Sequence, residues 1–221
     1  MVNYTGIKLL KVFFSYSTND KETVGDLKTV LESMGFEVFL AHEDLEPCVE
    51  WQEEIKKNLS NCDIFIPLLT NSFKESEWTN QEIGIAIATD KFIIPMQVDF
   101  PPYGFIGKIQ SLRIAEYSLD TAKEIVRVIR NNSRFGEDMN NFIVYAFANS
   151  KNRVQANDRA RLLEEIWDFK PEQIRQIISA IKENTIIRSA YVAQRVLRPL
   201  FEKYKEDLKD EEYKELMELL R

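Results

Sequence analysis

The 221-residue sequence predicts a doubly wound parallel α/β sheet of about five strands over residues 1–133, followed by an all-α domain over 134–221. Three features predict it. Short apolar, β-rich runs alternate with helical stripes through the first part, joined by short connections. One run, 63–69, is almost continuously apolar, as a strand is when helices cover both faces of its sheet. Beyond about Asn131 the strand signals stop and only helical stripes remain.

In order, Lys11-Val12-Phe13-Phe14-Ser15 is the first strand. Residues 20–34 put Val24, Leu27, Val30, Leu31 and Met34 on one helical face, and Gly35 ends that helix as a C-cap. Residues 36–40 form a second strand, followed by a polar loop over 41–50. Trp51, Ile55 and Leu59 recur at i, i+4 and i+8 and predict a helix. After the 63–69 strand, a helix carries Trp78 and Glu82 and runs to about Thr89. Residues 92–98 are a fourth strand, 112–115 a short fifth and 121–130 a closing helix. Residues 131–136 read as a linker. Past it, Leu162, Leu163, Ile166 and Trp167 form one stripe; Ile174, Ile177, Ile178 and Ile181 form another, behind Pro171 in a first turn. A helix over 191–204 contains Pro199, which is expected to kink or break it. Tyr213, Leu216, Met217 and Leu220 make the last stripe.

Composition excludes several functions. Hydrophobic residues at 44% and charged residues at 29% are an ordinary globular balance. With 29 basic against 36 acidic residues the net charge is −7, which disfavours nucleic acid and anionic lipid as partners. A surplus of Lys and Arg between Arg153 and Arg198 reads first as a solvated helical face. The apolar runs are too short to span a bilayer, and the first residues lack a basic stretch before a signal-like core. A cytoplasmic, membrane-free protein is expected. Cys48, Cys62 and the single histidine, His42, make neither a disulfide framework, nor a zinc site, nor a histidine-activated nucleophile. Cys62 reads as a small buried residue, and Glu43, Asp44 and Glu46 as a solvated loop rather than a metal site. No metal or cofactor is expected.

In sheets of this class ligands bind beyond the C-terminal strand ends. Here those ends are Ser15-Tyr16-Ser17, the 41–50 loop and Thr70-Asn71-Ser72. Trp78 and Glu82, at i and i+4, share one face of a helix beside them, so one turn supplies an apolar wall and a carboxylate.

Several of these segments, in order, resemble the boxes of a TIR (Toll/interleukin-1 receptor) domain. Val12-Phe13-Phe14-Ser15-Tyr16-Ser17-Thr18-Asn19-Asp20 is similar to the family's first-strand box. Phe36-Glu37-Val38-Phe39 through Glu46-Pro47 and Trp51-Gln52-Glu53-Glu54-Ile55 resembles the second strand and BB loop, with Cys48 where the family often has Gly. Cys62-Asp63-Ile64-Phe65-Ile66-Pro67-Leu68-Leu69-Thr70, then Phe73, Ser76 and Trp78, resembles the third strand and the entry to the next helix. Phe92-Ile93-Ile94-Pro95-Met96 resembles the fourth-strand box. The resemblance implies a flavodoxin-like sheet and one of two functions: an NAD⁺-cleaving enzyme of the prokaryotic type, or a non-enzymatic adaptor acting by homotypic contacts. Members that cleave NAD⁺ carry a glutamate four residues after a tryptophan, which falls on Glu82 after Trp78.

Elementary chemistry is compatible with a single carboxylate. Breaking the nicotinamide–ribose bond builds oxocarbenium character on the sugar, as glycoside hydrolysis does. Nicotinamide is already cationic and leaves as a neutral molecule, so no general acid is required. Glu82 is therefore the expected catalytic residue, stabilising developing charge and holding ribose hydroxyls. Phe14, Ser15, Tyr16, Trp51 and Trp78 are the expected substrate-binding residues, each with a plainer reading. Phe14 reads first as core, and Trp78 equally as a wall behind the site. Trp51 either stacks on adenine in a neighbouring subunit's site or packs its own helix. NAD⁺ would be substrate, released as nicotinamide with ADP-ribose or a cyclic isomer. Self-association through the TIR part and the C-terminal helices is the expected partnership, and prokaryotic immune signalling is the role the resemblance implies. A phosphoacceptor receiver shares the sheet order but needs an aspartate where Thr70 ends the third strand.

Overall fold

The computed structural model describes residues 10–41, 51–114 and 117–221. The 42–50 loop, with His42, Glu43, Asp44, Glu46 and Cys48, lies outside them, as do Ala115 and the side chain of Trp51. The described residues divide into two compact units, 10–128 and 129–221, with the boundary in the sequence inside one helix.

Among the described residues of the first unit six short strands form one parallel sheet. They are β1 (Lys11–Ser15), β2 (Glu37–Leu40), β3 (Ile64–Leu69), β4 (Phe92–Ile93), β5 (Met96–Gln97) and β6 (Leu112–Arg113). The order is β2-β1-β3-β5-β6, with β4 also paired to β3. Sequence order reverses between β1 and β3, which makes the C-terminal ends of those two strands the switch point where this class opens its crevice. All six residues of β3 are buried, as its apolar run requires.

The predicted fourth strand is two, β4 and β5. Both pair with β3, Ile64 with Phe92 and Leu68 with Met96, so Pro67 and Pro95 fall level between the paired stretches. Neither proline has an N–H to continue a ladder, so it breaks there and resumes.

On one sheet face Phe13, Phe65 and Leu69 pack with Ile55 and Leu59 of α2 (Trp51–Asn61), Phe73 of α3 (Asn71–Glu75), and Ile83 and Ala86 of α4 (Glu77–Ala88). Phe13 stacks on Phe65 with ring centroids 5.9 Å apart. Strand alternation turns Val12, Phe14, Ile64 and Ile66 to the other face. The right-handed crossover from β1 to β2 sends α1 (Lys21–Met34) there, with Val24, Leu27 and Leu31 buried on it; α5 (Leu119–Arg130) follows β6. Gly35 closes α1 at φ 105°, in the left-handed region, and its N–H bonds back to the last turn. Cys62 is the buried residue expected. Its thiol bonds to the Leu59 carbonyl, and burial pushes its pKa up to about 12, which leaves it unreactive.

Among its described residues the second unit is helical: α6 (Gly136–Ala148), α7 (Arg153–Leu163), α8 (Pro171–Glu183), α9 (Thr185–Arg188), α10 (Tyr191–Lys203) and α11 (Asp210–Leu219). Pro171 starts α8, whose Ile174, Ile177, Ile178 and Ile181 are all buried. Leu216 and Leu220 close over as the last stripe predicts. Three expectations need correction. The 131–136 linker is a packed turn: Phe135 is buried, and a Cβ on Gly136 would meet the Arg130 carbonyl oxygen at 2.5 Å. Trp167 is exposed and lies beyond α7, with the Arg130 guanidinium 3.5 Å from its ring centre, so it belongs to no core stripe. Pro199 does not break α10. Leu197 and Phe201 are fully buried on either side of it, and Asn157 Oδ1 accepts from the Val192 and Ala193 N–H groups at the helix start.

Candidate active site

The chain between β3 and α4 is held by a sequence of caps. Thr70 caps α3 by accepting from the Phe73 N–H, and Ser76 caps α4 by accepting from the Thr79 N–H. The buried Thr79 hydroxyl donates to the Phe73 carbonyl at 2.6 Å, tying the two helices together. Asn80 donates to the Ser76 carbonyl at 2.8 Å and accepts from the Tyr103 hydroxyl at 2.8 Å. The first turn of α4 is therefore anchored on both sides, and Glu82 projects from the next turn.

Glu82 is 1% exposed. Its Oε2 accepts a short hydrogen bond from the hydroxyl of Ser15, which is also fully buried. Its Oε1 is buried and has no hydrogen-bond partner among the described residues. Burial pushes the Glu82 carboxyl up to about 7, against a smaller downward pull from the Ser15 hydroxyl. A carboxyl this closed would sit almost wholly neutral in an acidic medium and about half ionised near neutrality.

That shift carries a stability consequence. The folded-state pKa lies above the ordinary 4.5, so burial favours the neutral acid. The contribution is fully present below about 4.5, is lost as pH rises towards about 7, and stays lost above it. Gln has the same shape and never ionises. Glu82→Gln is expected to leave stability almost unchanged at pH 4.5 and to raise it at pH 8 by on the order of 2 kcal/mol. Urea unfolding midpoints at the two pH values check this.

Of the expected site residues, the structure brings Ser15 and Glu82 into contact. Phe14 and Tyr16 are both fully buried, and Phe14 points to the sheet face opposite Ser15. Trp78 is half-buried one turn before Glu82. Trp51 begins α2, and its side chain lies outside the described residues.

A second polar group at the strand ends was not legible as a site in the sequence. The Thr70 hydroxyl donates to Asp20 Oδ2 at 2.7 Å, and the Asn71 N–H donates to Asp99 Oδ2 at 2.7 Å. Burial and then the charges of Asp20 and Asp99 push the Tyr117 hydroxyl up. The signal present in the sequence was Asp20 just ahead of its helix and Asp99 just past a strand. Among the described residues no group of three metal-ligating side chains is placed to hold an ion, and no helix is long and apolar enough to cross a membrane.

A search of curated proteins finds no significant match to the chain. Among solved structures it is similar to the TIR domain of the Toll-related receptor TRR-2 from the lower metazoan Hydra magnipapillata. The identity is 20% and the TM-score 0.47, over 54% of this chain and 98% of that one. The family description "TIR domain" matches residues 12–128, which run from within β1 to the boundary between the two units. The match covers more than half of the chain and takes in all but the first residue of the parallel sheet's strands, and the protein therefore belongs to the TIR domain family.

Proposed function

We propose that the protein cleaves the nicotinamide–ribose bond of NAD⁺, with Glu82 as the catalytic carboxylate. The observation that carries this reading is a glutamate buried beside the strand-end switch point, held by one hydroxyl and with one oxygen unpartnered among the described residues. A structural glutamate is rarely so buried without a cationic partner, and a buried group with a raised pKa beside strand ends of this class is a candidate functional one. The carboxylate would accept from a ribose hydroxyl and stabilise the oxocarbenium charge as neutral nicotinamide departs. Water as acceptor yields ADP-ribose, and an adenine nitrogen yields a cyclic isomer. Trp78 would wall the ribose side, while Phe14 and Tyr16 would shape the floor from behind. Trp51 would meet the adenine.

The reading extends to self-association of TIR units, to a sensing or oligomerising role for residues 134–221, and to prokaryotic immune signalling by NAD⁺ depletion. Loss of residues 135–221 is expected to change oligomeric state or the control of activity, and a truncated chain with both unaltered would remove that role. Incubation with NAD⁺, with chromatographic separation of nicotinamide, ADP-ribose and cyclic products, tests the enzymatic reading. Intact NAD⁺ at every protein concentration would contradict it.

One observation favours a second reading. Glu82 is sealed from solvent, as suits a non-enzymatic TIR adaptor in which the carboxyl only packs. That reading expects homotypic binding to be unaffected by Glu82→Gln and NAD⁺ to be left intact.

A further inference from the structure

Ser15 was expected to touch the substrate, but its bonding points elsewhere. Its hydroxyl is closed to solvent, and among the described residues its one hydrogen bond goes to Glu82 Oε2. A serine hydroxyl has a single proton to give. Donated to Oε2, that proton is not available to a ribose or an amide. β1 aims Ser15 this way. It shares the sheet face of Phe13, on which α4 packs, and it lies opposite Pro67, which has no N–H to offer its oxygen.

We propose that Ser15 is the positioning residue of this site: its hydroxyl clamps Glu82 Oε2 and so presents Oε1 to a hydroxyl of the bound sugar. The inference rests on the NAD⁺ reading for the identity of that sugar, and on the contact alone for the clamp. The terminal torsion of a glutamate is broad and two-fold, so an unclamped carboxyl in an apolar setting would spread its acceptors over many directions. One bond to one oxygen fixes the plane. Oε1 is then a buried acceptor with its direction set and its bond unmade, a deficit that a ligand hydroxyl removes. A hydroxyl pointing at Oε2 also favours the ionised form, which the chemistry needs. α2, α3, β3 and the Gly104–Ile106 turn pack on α4, and β1 reaches it through Ser15; no charged side chain described on them adds to the shift of Glu82, whose two causes are burial and Ser15.

The test is the Glu82 titration itself, read on the full chain by carbon NMR of the glutamate carboxyls. The Glu82 signal is assigned by its absence in Glu82→Gln. In Ser15→Ala the Glu82 midpoint is expected to rise by about half a pH unit or more. In Ser15→Cys, whose thiol is a weaker donor of similar shape, it is expected to fall between Ala and wild type. The acid limb of kcat/KM for NAD⁺ should move upward in step, and kcat on the alkaline plateau should drop about tenfold as the carboxyl loses its aim. A Glu82 midpoint equal to wild type in both variants overturns the clamp. The Cys variant supplies the same readout should the Ala variant fold poorly. A midpoint that shifts in a protein releasing no nicotinamide retains the clamp and rejects the NAD⁺ reading, so the two failures are distinguishable.

Discussion

Glu82→Gln is expected to lower nicotinamide release from NAD⁺ by about 100-fold or more, the usual loss when one preorganised electrostatic contact to developing charge is removed. The amide keeps the volume and a hydrogen bond to Ser15 but cannot carry the negative charge that the oxocarbenium-like sugar requires. The loss should fall mainly on kcat, because the contact strengthens only as the bond breaks, and KM should change little. The same substitution should make the protein more stable above neutral pH, since it removes a buried charge. A variant that is dead and sturdier is difficult to attribute to misfolding. A variant with wild-type turnover would leave Glu82 a packing residue and favour the adaptor.

The largest structural effect is expected from Phe65→Ala. Phe65 lies on the central strand β3, is fully buried, and stacks on Phe13 within the cluster formed by α2, α3 and α4. Truncation removes a ring from a close-packed layer whose backbone is held on both sides by strand pairing, so little collapse is available. The expected cost is about 3–5 kcal/mol, read as a lower urea midpoint with an unchanged slope. Phe105, 86% exposed in the loop after β5, is the control. Phe105→Ala should change stability by no more than about 0.5 kcal/mol. Equal effects at the two positions would contradict the packing described.

Periodicity made much of this fold legible. The parallel sheet followed from a nearly continuous apolar β3 and from helical stripes such as Val24, Leu27 and Leu31, because both express burial in sequence order. The features it missed have physical causes. The break between β4 and β5 needs two prolines on different strands to stand level, a coincidence visible only once register is known. Helix α6 carries the run Phe142-Ile143-Val144-Tyr145, rich in β-formers, and buries Phe142, Ile143, Val144, Ala146 and Phe147 rather than one stripe. The turn around Gly136 reads as a polar linker until Phe135 is seen to be buried.

At the site, i, i+4 spacing placed Glu82 and Trp78 on one face, but depth was invisible. Nothing in the string says that the carboxyl is 1% exposed or that Ser15, 67 positions earlier, supplies its bond. Contacts across such separations come from strand order, and strand order comes from the whole sheet. The Asp20–Thr70 bond, 50 positions apart, escaped the sequence for the same reason.

Nicotinamide release by the wild-type protein as a function of pH decides whether Glu82 acts as an ionised catalytic carboxylate. A buried Glu82 carboxyl that titrates near 7 and must be ionised to act predicts an acid limb in kcat/KM at about pH 7. Once cationic NAD⁺ is bound beside it the ionised form is favoured, so the limb in kcat should lie lower. A kcat/KM unchanged down to pH 5, where a free carboxyl titrating near 7 is almost wholly protonated, would contradict a catalytic Glu82.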